Sequence, residues 1–144
     1  MNKNAESFKN YLDEKGITSF EVEEMEDDER ETVVFRSFIA VEGQQLPTAV
    51  IIDNSVFSVI RVLVSPKAVS EENQFDLLKL LNGENVQYKP FKFYCDDSGA
   101  LLMDTSIVTP GDDRLKGETI YLMFEVIINY LNNSYRNIMK TIWK

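Results

Sequence analysis

The chain has 144 residues, enough for one domain with a core of its own. With 24 acidic and 15 basic residues it carries a net charge of −9, and no Lys/Arg-rich run is present, which excludes the electrostatics of phosphate-backbone binding. It has no histidine and a single cysteine, Cys95, so His-dependent nucleophiles, imidazole metal sites and an internal disulfide are excluded as well.

In chain order, Asn4 to Lys15 reads as a first helix, with Phe8, Tyr11 and Leu12 on one side and Gly16 as its stop. Phe20 and Val22 begin a first strand, which runs into the acidic stretch Glu21 to Glu31. The spacing of those carboxylates does not match an EF-hand loop, and Asp96-Asp97-Ser98-Gly99 fails the same test, so a solvated, charged hairpin edge is expected rather than a metal site. Nearly all of the acidic excess falls in residues 1–72, a surface that could recruit a basic partner. Thr32 to Val41 follows as a second strand, and Glu42-Gly43-Gln44-Gln45 as a turn. A third strand is expected from Thr48 to Asp53 behind Pro47, and a fourth from Val56 to Val64.

Ser70 is placed to cap a central helix, with Glu71 and Glu72 at its positive end. Phe75, Leu78 and Leu81 mark its apolar face, Leu77 and Leu80 widen it, and Asn82-Gly83 supplies a stop. The period then becomes twofold: Phe91, Phe93 and Cys95 alternate with Lys92 and Tyr94, Asp96 to Gly99 turn, and Ala100 to Val108 returns as a strand. Glu118 to Trp143 is a last helix, with Ile120, Phe124, Ile127, Leu131, Ile138 and Ile142 on one stripe and further apolar residues around it. If continuous it is about 39 Å long, whereas an eight-residue strand spans about 26 Å. Two readings stay open. The overhanging tail is a dimer or partner interface through Tyr135, Ile138, Met139, Ile142 and Trp143, or the helix breaks at Asn132-Asn133-Ser134 and a short final helix folds back.

No GxGxxG, GxxxxGK[ST] or CxxC motif occurs. Asp104 and Glu125 could be posed as paired carboxylates, but nothing in the sequence brings them together. No catalytic, cofactor-binding or metal-ligating residue is assigned, no cofactor is expected and the chain is not expected to be an enzyme. No stretch approaches the ~20 apolar residues of a membrane span, and the polar start MNKNAESFKN lacks the apolar core of a signal peptide, so the cytoplasm is the expected compartment.

Leu46-Pro47 with the Val/Ile-rich strands after it, Leu81-Asn82-Gly83-Glu84-Asn85 at a helix end, Phe91-Lys92-Phe93 and Asp97-Ser98-Gly99 together resemble the YbjN-like family, whose fold resembles type III secretion chaperones. The resemblance covers most of the chain. It implies helices packed on a twisted antiparallel sheet, often in pairs, and action by holding or regulating other proteins; it supplies no catalytic residues. The expectation is a single α+β domain of about six mainly antiparallel strands and three helices in the order α-β-β-β-β-α-β-β-α. Its expected role is a chaperone-like or adaptor module that binds a partner protein, or a second copy, through a sheet edge or the C-terminal helix. A small-ligand sensor and an immunity- or antitoxin-like inhibitor using the acidic face are the alternatives.

Overall fold

Six strands and three helices follow one another in the expected order in the computed structural model, which describes residues 1–143. They are α1 (Lys3–Glu14), β1 (Glu21–Glu24), β2 (Val33–Val41), β3 (Gln44–Ile52), β4 (Phe57–Ser65), α2 (Gln74–Gln87), β5 (Lys92–Cys95), β6 (Leu101–Val108) and α3 (Gly117–Ile142). All neighbouring strands are antiparallel, in the spatial order β1-β2-β3-β4-β6-β5. The fold is therefore a single-layer α+β sheet with its helices on one face.

Strand alternation sets that arrangement. Phe35, Val50, Ile60 and Met103 point to the helices and are fully buried with Phe8, Leu77, Ile120, Ile127 and Leu131. Val34, Ile51, Val59 and Leu102 point the other way and lie outside this core. The β2–β3 hairpin turns through Glu42 and Gly43, both with positive φ (49° and 78°), as a two-residue hairpin requires. At the start of α1 the Asn2 side chain accepts from the Ala5 N–H and donates to the Glu31 and Ile52 carbonyls, which ties the helix to the sheet.

Three local expectations are corrected. β3 begins at Gln44, not Thr48, because the hairpin pairing continues through Pro47, which lies opposite Phe38. Ser70 does not start α2: Ser70 and Asn73 cap each other in a preceding turn, and Asn73 is the N-cap residue. Asn82-Gly83 does not end α2 either. The helix runs on to Gln87, where Asn85 bonds to β5, and its buried face is Leu77 and Leu81 while Phe75 is 77% exposed.

α3 is one continuous helix, so the break at Asn132-Asn133-Ser134 does not occur. Asn133 and Ser134 satisfy their side chains inside the helix by donating to the carbonyls of Asn129 and Tyr130, one turn back. Its length is covered because α1 packs against it as well as α2. At its end, Asn73 Nδ2 donates to the Ile142 carbonyl and to the Ala68 carbonyl, which pins the tail to the α2 entry loop.

Candidate protein-interaction site

The two edges of the sheet are built differently. At β5, the Asn85 side chain takes the place of a neighbouring strand: its Oδ1 accepts from the Phe93 N–H at 2.7 Å and its Nδ2 donates to the Phe93 carbonyl at 3.1 Å. This closes the middle of a four-residue edge. At the opposite side, β1 is four residues long and pairs only with Val33–Arg36. The outer edge of β2 from Ser37 to Val41 has no strand beside it among the described residues; Ser37, Ile39 and Val41 spend their main-chain groups on β3, so Phe38 and Ala40 turn theirs to a newcomer.

A cleft of about 540 Å³ runs along this open edge, between β2 and the first half of α3. Ile39, Phe20, Phe124 and Ile128 give it an apolar wall, and Leu122, 58% exposed, stands at its mouth. Tyr11 and Tyr121 close one end with ring centroids 5.8 Å apart, and burial pushes the Tyr121 phenol up, so it stays a neutral donor. Glu118 and Glu125 are exposed on the rim and make it negative. A main-chain edge beside an apolar cleft with an acidic rim can accept an extended, apolar segment that carries a basic side chain.

A second cleft, of about 910 Å³, lies where β3 and β4 part. Their pairing stops at Thr48–Val62, with Pro47 beyond it on β3 and a register shift between Leu63 and Ser65 on β4. Tyr135, Met139 and Trp143 of α3 line this gap together with Arg136 and Lys140, and Trp143 is 74% exposed. Three of the residues expected at an interface are thus brought together. Ile138 and Ile142 are not among them: both are buried in the core, because the anchored tail has no overhang.

The paired-carboxylate idea finds no support in the geometry. Asp104 lies on the outer sheet face, where Arg61 donates to both of its oxygens at 2.9 Å and the Tyr94 hydroxyl lies 3.2 Å from each, whereas Glu125 is on α3. The hydrogen bond to Asp104 holds the Arg61 guanidinium still more firmly protonated, and burial raises the Tyr94 phenol. In the acidic run, Asp28 organises its own turn by accepting from the Thr32 and Arg30 N–H groups, and its carboxyl is lowered chiefly by Thr32. Among the described residues no group of three or more Asp, Glu or Cys is arranged to hold a metal, and no helix is long and apolar enough to cross a membrane.

The open β2 edge and the Asn85 clamp were not assigned from sequence. The signal was an apolar strand much longer than the one before it. Searches against protein-family models and against curated proteins find no match for this chain.

Proposed function

We propose that this protein is a binding module, chaperone-like or adaptor in action, that captures an extended segment of a partner protein by strand addition to the Ser37–Val41 edge of β2. The observation that supports it is the asymmetry of the two edges: Asn85 closes β5, while β2 is left open beside an apolar, acid-rimmed cleft. Main-chain bonds to β2 supply affinity, and alternate side chains entering the cleft supply selection. Glu118 and Glu125 favour a Lys or Arg on the incoming segment. The activity is holding, without a chemical step. It agrees with what the YbjN-like resemblance implies.

The test is selection of a displayed random peptide library on the immobilised chain. The expected winners alternate apolar residues, include Lys or Arg, and lose binding when Leu122→Asp places a charge at the cleft mouth, a site too exposed to disturb the core. Winners without that pattern, or binding indifferent to Leu122→Asp, overturn the reading.

The cleft at Tyr135, Met139 and Trp143 favours a second reading, docking of a partner against the end of α3. Trp143→Ala would then abolish capture while Leu122→Asp would not.

A further inference from the structure

The sheet face turned away from the helices is covered by no element among the described residues. We propose that a second copy of the chain covers it, in a face-to-face dimer whose two-fold axis lies parallel to the strands, between β3 and β4. One cross-strand row carries the inference. From β1 to β5, Glu21, Arg36, Ala49, Arg61, Asp104 and Lys92 stand side by side on this face. Their charges read minus, plus, none, plus, minus, plus.

Rotation about that axis lays the row over its own reverse. Glu21 then meets the partner's Lys92, Arg36, already held by Glu23 at 2.9 Å, comes over the partner's Asp104, already held by Arg61, and Ala49 over the partner's Arg61, so every opposed charge has the opposite sign, no like pair forms, and Glu21–Lys92 is the new ion pair. The rows on either side match in kind: Ile51 comes over the partner's Val59, and Phe38, 61% exposed, over the partner's Leu102. A self-complementary patch of this sort is what an isologous two-fold interface needs.

Charge and area agree with a second copy as the occupant. The strand residues turned to this face carry three acids (Glu21, Glu23, Asp104) and three bases (Arg36, Arg61, Lys92), whereas the whole chain has a net charge of −9. Two such chains repel each other elsewhere and can meet where the charge balances. Four long and two short strands at about 4.8 Å spacing and about 3.3 Å per residue present about 700 Å². That is close to the about 800 Å² per partner of a standard interface. Sheets stacked in this way pack about 10 Å apart at about −30°.

Sedimentation velocity of the full chain tests it. At about 50 µM the native chain is expected to be dimeric. Glu21→Lys or Lys92→Glu alone replaces two attractions by two repulsions and should weaken the dimer about tenfold. The double variant should restore it, and so should an equimolar mixture of the two single variants. Both side chains are exposed, so native circular dichroism is expected throughout. A native chain that stays monomeric, a dimer equally tight in all four forms, or a double variant as weak as the singles overturns the proposal. Leu122→Asp, on the far side of the sheet, should leave the dimer intact.

Discussion

Asn85 holds Phe93 by two main-chain hydrogen bonds, at 2.7 and 3.1 Å, as a neighbouring strand would. A helix side chain thus finishes the sheet at β5. Asn85→Ala should cost about 1–3 kcal/mol, because both Phe93 groups lose their partner beside buried Phe91 and Phe93. Freed edge groups should also make the variant associate as concentration rises. Urea denaturation and light scattering check the two effects, and unchanged values in both would show that the clamp is idle.

Asn73 bridges the start of α2 to the last turn of α3 through the Ala68 and Ile142 carbonyls. Asn73→Ala should cost about 1–3 kcal/mol. Amide exchange should quicken in the last turn of α3 and stay slow around Ile127 and Leu131.

Gly117 leaves no room for a side chain: a Cβ there would lie 2.1 Å from Cγ of Tyr11. Gly117→Ala should therefore destabilise by about 1–3 kcal/mol through overpacking. Thermal melts should show the loss, and adding Tyr11→Ala should return part of it.

Which parts of this architecture are legible in the sequence follows from how local the cause is. Six strands, three helices and their order are set by period and turn chemistry, as in Asp96 to Gly99, where the side chain itself builds the turn. Asn82-Gly83 misleads because a stop signal yields to tertiary contacts: Leu81 is buried and Asn85 has a strand to hold. The tail residues Ile138 and Ile142 look unpaired in a helix longer than a strand, but a cover from Asn73 and α2 is a tertiary matter. That the sheet ends in two short edge strands is readable in outline. Which edge is open is not, since that depends on β1 beginning only opposite Arg36 and on a helix residue eight positions before Phe93.

The Asp96 carboxylate accepts from the Ser98 N–H at 2.9 Å, the Ser98 hydroxyl at 2.6 Å and the Ala100 N–H at 3.0 Å. These bonds, the Ser98 side chain first, hold its carboxyl below the ordinary value of 3.8. A lowered folded value means that its stabilisation is complete above the unfolded value and disappears as pH falls through the folded one. Asp96→Asn keeps an acceptor but does not titrate, so the stability gap between wild type and variant should narrow on going from about pH 6 to about pH 3. Denaturant midpoints across that range test it. Burial also raises the Cys95 thiol, so its alkylation at about pH 8 should be slower than that of a free cysteine.

The most direct measurement is amide hydrogen exchange of the chain with and without a library-selected peptide. Strand addition at β2 predicts that exchange slows at the outward-facing amides of Phe38 and Ala40 and is unchanged at Lys92–Cys95, where Asn85 already occupies the edge. A bound peptide that leaves Phe38 and Ala40 exchanging as before, or protects only the region around Trp143, would contradict it.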